Sequence, residues 1–171
     1  MAMNNITIEN TRFIYNTNFS GDPSQDRFGD GRRKANIIIP DPQMAEELLN
    51  MGIRVRQTRP RPDDDPATFE PTYFVSASLK YRDRLGNPVK YPPRVYTVSG
   101  DEQPVQLDEE SVGIIDLIPV KNVNVILNPY TYNAAGDISL YIRTMYVEQR
   151  TEDDPWANRY GRKSPMEEDP F

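Results

Sequence analysis

Between residues 72 and 82 the chain alternates with period two, which sorts chemically distinct residues onto opposite faces. Phe74, Ser76, Ser78, Lys80 and Arg82 share one face; Tyr73, Val75, Ala77, Leu79 and Tyr81 share the other. The first set suits a single nucleic-acid strand. A ring stacks on a base, small polar residues let the strand approach, and cations meet phosphates. A solvated strand face with one surface aromatic would read the same, so the pattern gains weight only where it recurs. Arg12, Tyr15 and Phe19 lead into a turn-rich stretch that delivers Arg32, Arg33 and Lys34. Arg54 and Arg56 share a face at 53–57, Tyr130 and Tyr132 sit in a Pro- and Asn-containing loop, and Tyr141 and Arg143 share a face near 138–148. Each stacked base is worth about 1–3 kcal/mol, so two or three rings with a few phosphate contacts give affinity without reading sequence. Tyr73 and Tyr81, on the apolar face, are expected in the core with satisfied hydroxyls.

A second feature is the C-terminus, where Glu167, Glu168 and Asp169 precede Pro170 and a terminal Phe171. So acidic a segment buries too little apolar surface to fold, and an aromatic at its end has no core to serve. The combination suits a tethered hook for a partner protein, with the ring entering a pocket and the carboxylates meeting bases.

The composition removes other chemistries. The 171 residues include no Cys and no His, which excludes disulfides, zinc sites built on those ligands and imidazole- or thiolate-based catalysis. Asp63-Asp64-Asp65 and Asp108-Glu109-Glu110 invite a Mg²⁺ nuclease reading, but adjacent acids in a Pro-rich loop are ordinarily just solvated. Gly29-Asp30-Gly31 is a weak nucleotide signal, because bases follow it and a phosphate-cradling helix pattern does not. The expectation is a protein that is not an enzyme and carries no cofactor and no metal. The start of the chain has neither a basic region nor an apolar run, and no later apolar run reaches membrane-spanning length, so a cytoplasmic protein without membrane contact is expected.

Net charge is −6, which at first sight opposes nucleic-acid binding. Residues 151–171 hold six carboxylates against three bases, however, so the remainder carries −3. Residues 1–62 hold nine Arg and Lys against seven Asp and Glu. A ligand responds to local potential, not to the isoelectric point.

The elements that must position these groups are mostly strands. Strand patterns are predicted at 6–19, 34–39, 53–57, 72–82, 94–99, 114–127 (one long or two short, around Pro119) and 138–148. One helix is predicted after Asp41, which can cap it, with Pro42 in its first turn, Met44, Leu48, Leu49 and Met51 at helical spacing, and Gly52 at its end. Residues 20–33, 59–71 and 128–137 read as loops, and 108–111 as a short helical turn or cap. Six or seven strands without sustained β-α-β alternation predict a mainly β fold, a small antiparallel barrel or sandwich.

With these residues in place, the chain resembles the phage single-stranded DNA-binding proteins of the oligonucleotide-binding (OB) fold. The resemblance rests on Phe19-Ser20-Gly21, the Arg32-Arg33-Lys34 cluster feeding Ala35-Asn36-Ile37-Ile38-Ile39, the helix around Met44 to Leu49, the strand Ile53-Arg54-Val55-Arg56, the aromatic strand at 72–82 and the acidic tail. It implies an OB-fold-like antiparallel β-barrel over 1–150 and a flexible acidic tail over 151–171. It implies sequence-nonspecific binding of single-stranded DNA in phage replication, recombination and repair, with the tail contacting replication and recombination proteins. A homodimer is compatible with it. Arg159, Arg162 and Lys163 depart from the uniformly acidic tail more usual there, and Trp156 and Tyr160 are unexpected in a solvated spacer. A flexible 21-residue tail spans about 25 Å, so it can reach a basic groove on its own domain and compete with DNA. The alternative is a phage structural or assembly β-barrel that makes protein contacts only.

Overall fold

The computed structural model describes residues 4–25, 32–131 and 134–150. Among the described residues, nine strands and one α-helix make up the regular structure, with two short 3-10 segments. The helix α1 (Pro42–Asn50) forms as its sequence requires. The Asp41 carboxylate accepts from the Gln43 amide at 2.9 Å, Pro42 occupies the first turn, and Gly52 turns the chain away with φ +88°. Ala45 and Leu48 face the core.

The strands are β1 (Ile6–Thr11), β2 (Phe13–Asn18), β3 (Lys34–Ile39), β4 (Arg56–Gln57), β5 (Tyr73–Ser78), β6 (Arg94–Ser99), β7 (Val105–Leu107), β8 (Val120–Thr131) and β9 (Ile138–Gln149). They form one sheet in the order β1-β8-β9-β5-β3-β2, with β4 on β5, and with β6 on β9 carrying β7. β1 and β2 are halves of one predicted strand, bent at Arg12, where Asn10 adopts φ +55° and the Arg12 carbonyl accepts from the Ile38 amide at 3.0 Å. One half pairs with β8 and the other with β3, so the sheet curls until its two ends meet in the same segment. Inward residues alternate along every long strand. Ile6, Ile8, Ala35, Ile37, Val75, Ala77, Val123, Val125, Leu127, Met145 and Val147 fill the interior.

The mainly β, OB-fold-like architecture is as expected, with one correction to its pairing. The sheet is mixed, because β5 and β6 both run parallel to β9. They follow one another along the same edge of β9: Ser78 lies opposite Tyr141, and Arg94 to Ser99 lie opposite Thr144 to Gln149. Residues 79–93 must therefore loop out from the sheet between them.

Other boundaries also moved. β4 keeps only two of the residues predicted for 53–57, and β5 stops at Ser78, although Arg82 bridges Pro88 beyond it. The first part of the predicted 114–127 strand is a 3-10 segment, Val112–Leu117. Val112 and Ile115 are buried three residues apart, the 3-10 repeat. Residues 128–131 continue β8 instead of starting a loop, with Pro129 opposite Leu140. The pairing of β8 with β1 ends at Leu127, so Pro129 lies where only one neighbouring strand needs donors. Among the described residues no helix is long and apolar enough to cross a membrane.

Candidate nucleic-acid interface

The excursion between β5 and β6 builds one wall of a trough across the outer face. Its tip is a hairpin tied by Asp83, whose carboxylate accepts from the Leu85 and Asn87 amides at 2.9 Å each. Gly86 supplies the φ of +85° that this turn needs, and the Val89 amide closes on the Tyr81 carbonyl at 3.0 Å. The floor comes from β9 and β8. A register shift between Ile126/Thr144 and Leu127/Ile142 leaves Arg143 with no residue opposite, so this bulge turns its side chain to solvent.

Three depressions join into this trough. A central one of about 350 Å³ is lined by Lys80, Val89, Tyr91, Pro93, Asn128, Tyr130, Tyr141, Ile142 and Arg143. One of about 660 Å³ shares Lys80 and Tyr141 with it and adds Arg32, Arg33, Tyr81, Arg82, Arg84 and Glu109. One of about 190 Å³ shares Tyr91, Pro93 and Arg143 and adds Lys90, Arg94 and Gln106. Eight Arg and Lys side chains thus line a continuous path against only two carboxylates, Asp83 and Glu109. The path is locally basic on an acidic chain.

Rings and cations alternate along it. Lys80 Nζ sits 5.8 Å from the centre of the Tyr141 ring, the Arg33 guanidinium 5.7 Å from that of Tyr81, and Lys90 Nζ 5.4 Å from that of Tyr91. Tyr91 is 70% exposed and Tyr130 46%, so both offer open faces. Glu109 holds Arg82 through both carboxylate oxygens, at 2.9 and 3.0 Å, so an incoming anion competes with it for that guanidinium. The neighbouring Asp108 carboxyl is held below its usual range by the Ser111 hydroxyl and amide. Among the described residues no three acidic side chains gather into a metal-binding cluster.

Tyr81 is half-buried, and its hydroxyl is enclosed without a hydrogen-bond partner, contrary to the expectation of a satisfied core tyrosine. Burial pushes its pKa from 10.0 up to about 12, with Arg33 pulling it down and Asp108 and Glu109 adding to the rise. The folded state therefore holds this proton more tightly than the unfolded chain does. The stability it contributes is complete below pH 10 and is lost as pH rises toward 12. An ultraviolet absorbance titration should show a late phenolate step near pH 12 that Tyr81→Phe removes; an unaltered profile in the variant would place that step elsewhere.

The predicted site residues divide by location. Arg32, Arg33, Lys80, Arg82, Tyr130, Tyr141 and Arg143 line the trough. Lys34 lies on the extension of its floor, opposite Ser78, which in turn lies opposite Tyr141. Tyr130 is on β8 and not in a loop. Arg12 and Tyr15 line a separate groove of about 380 Å³ that contains Asp116 and Arg150. Arg54 follows the helix and Arg56 lies on β4 opposite Phe74; both are exposed and line none of the three depressions.

Two rings proposed as base platforms are not available. Phe19 is 0% exposed, packed edge-on to Phe13 at 5.4 Å. Phe74 is 5% exposed although its strand face points outward, because the 63%-exposed Tyr15 covers it edge-on at 5.4 Å. Tyr132 and Glu167, Glu168, Asp169, Pro170 and Phe171 lie outside the described residues. The sequence reading missed Arg84, Lys90, Tyr91 and Arg94. Their signal is the density of bases and tyrosines from Lys80 to Arg94, where the pattern reads as a strand to 82, a turn at 84–88 and a strand from 94.

A family model described as "Putative phage ssDNA-binding domain" matches residues 1–169. No curated protein sequence matches. The fold is similar to a C-terminal truncation of the single-stranded DNA-binding protein from bacteriophage Enc34, at 13% identity and TM-score 0.48 over 86% of this chain and 87% of that one. The Enc34 protein in complex with ssDNA gives 13% identity and 0.45 over 89% of each chain. The single-stranded DNA-binding protein gp2.5 of bacteriophage T7 gives 14% and 0.39 over 96% of this chain and 98% of that one.

Proposed function

We propose that this chain, which belongs to the phage single-stranded DNA-binding domain family, holds single-stranded DNA along the trough between the 79–93 excursion and the outer face of β8 and β9. Membership in that family makes it a DNA-binding protein and not an enzyme. The observation that carries the route is the continuity of eight cations through shared lining residues, with Lys80 stacked over Tyr141 where two depressions meet.

Phosphates follow Arg32, Arg33, Lys80, Arg82, Arg94 and Arg143, and bases stack on Tyr141, Tyr130 and Tyr91. Every base has a π-face, so such a site tolerates any sequence. Residues 1–150 form the binding domain in this reading. Residues 151–171 act as an acidic tail that competes for the same cations and, once displaced, uses Glu167, Glu168, Asp169, Pro170 and Phe171 to engage replication and recombination proteins in the host cytoplasm.

Fluorescence anisotropy with labelled oligo-dT tests both parts. The full chain should bind with an affinity that falls steeply with salt, and removal of 152–171 should tighten binding most at low salt. Absence of binding at low salt would reject the DNA reading. Unchanged or weaker binding by the shortened chain would reject competition by the tail.

A further inference from the structure

We infer that Asp116, an acidic residue outside the trough, is a positioning residue for DNA binding: it holds the 17–20 segment that seats Arg33. Asp116 lies in the 3-10 segment Val112–Leu117 and lines the separate groove with Arg12 and Tyr15. Its carboxylate is fully engaged by that segment. Oδ1 accepts from the Thr17 hydroxyl at 2.5 Å and from the Phe19 amide at 2.8 Å, and Oδ2 accepts from the Ser20 amide at 2.9 Å. Gly113 lets the two pieces of backbone close, since a Cβ there would lie 2.9 Å from Ser20 Cα.

The anchored segment reaches the trough by two links. The Phe19 carbonyl accepts from Arg33 Nη1 at 2.5 Å, which sets the guanidinium that lies over Tyr81. The buried Asn18 side chain donates to the carbonyls of Arg32 at 3.2 Å and Asp22 at 3.1 Å, and accepts from the Asp22 amide at 3.0 Å. The two cations at that end of the trough are thus fixed through a carboxylate that does not touch it. A hydrogen bond to a charged group holds such a geometry more firmly than a neutral one.

This inference rests on the trough being the DNA path, and the sign of the effect separates the two ideas. By charge alone, removing a carboxylate from a DNA-binding protein tightens binding. By positioning, Asp116→Ala weakens oligo-dT binding about fivefold at low salt, approaching the loss from Arg33→Met. The double variant should lose clearly less than the sum of the two single losses, because both act in part through the Arg33 guanidinium. The four proteins, with Lys80→Ala as a control, are compared by anisotropy over a salt series after melting curves establish that each is folded.

Equal or tighter binding by Asp116→Ala, with Arg33→Met and Lys80→Ala both impaired, overturns the inference and leaves the trough standing. Additive losses in the double variant overturn it as well. Normal binding by Arg33→Met and Lys80→Ala together removes the trough itself, and the inference with it. Should Asp116→Ala not fold, Asp116→Asn retains one acceptor and is expected to show a smaller loss of the same sign; unchanged or tighter binding by that variant overturns the inference.

Discussion

Replacing Lys80 and Arg143 together with alanine is expected to weaken oligo-dT binding about 25-fold at 0.1 M salt and to lower the log–log salt slope by about 1.4. The figure follows from counterion release. Each phosphate contact to a single strand contributes about 0.7 to that slope, so two lost contacts scale affinity by the salt concentration raised to about 1.4. Variant and parent should therefore converge near 1 M salt. Both side chains are exposed, one in the excursion just past β5 and one on the bulge of β9, so folding stability should change little. Lys80 matters doubly, because it also sits over the Tyr141 ring. Anisotropy titrations at several salt concentrations decide the matter: an unaltered slope would show that the phosphates run elsewhere, with the Arg12 and Tyr15 groove the next place to look.

Phe19→Ala should lower folding stability by about 3–5 kcal/mol, out of the 5–15 kcal/mol typical of a domain. The ring is fully enclosed and meets Phe13 edge-on, so its removal leaves a cavity that the curled sheet can only partly close. The urea midpoint would fall by about 2 M. A surface stacking platform at this position would give the opposite result, with weaker DNA binding and a midpoint within experimental error of the parent. Urea melts followed by far-ultraviolet circular dichroism separate the two, and a midpoint shift below about 0.3 M would contradict the burial seen here.

Much of the fold was legible from local pattern. The capped helix, the strands read at 34–39, 72–82, 94–99 and 138–148, of which the second proves shorter, and the mainly β class follow from spacing and turn chemistry, which act within a few residues. Where the reading failed, the deciding interaction was remote or the repeat was mistaken. The segment at 112–117 repeats every three residues, not every two, and Asp116 finds its partners about a hundred positions away. Thr131 belongs to β8 because Ile138 on β9 pairs with it across the turn.

The lining of the trough was legible in kind and only partly in place. Arg32, Arg33, Lys80, Arg82, Tyr130, Tyr141 and Arg143 could be chosen because bases and rings on polar strand faces have no core to serve. Phe19 and Phe74 could not be told apart from them, since burial depends on what covers a ring: Phe13 in one case and Tyr15 in the other. Residues 83–93, between the predicted strands at 72–82 and 94–99, look like an ordinary connection until β5 and β6 are laid end to end along β9, which makes the excursion a wall.

The sequence by itself determined the chemistry of this protein: the absence of thiol and imidazole, the interleaving of cations with tyrosines, the acidic terminus and the strand-rich fold class. Only the tertiary structure decided which of those cations share a surface and which rings remain open. The reason is physical. Side-chain type and short-range periodicity are properties of neighbours along the chain, whereas a continuous field and an exposed ring face depend on distances between strands remote in sequence.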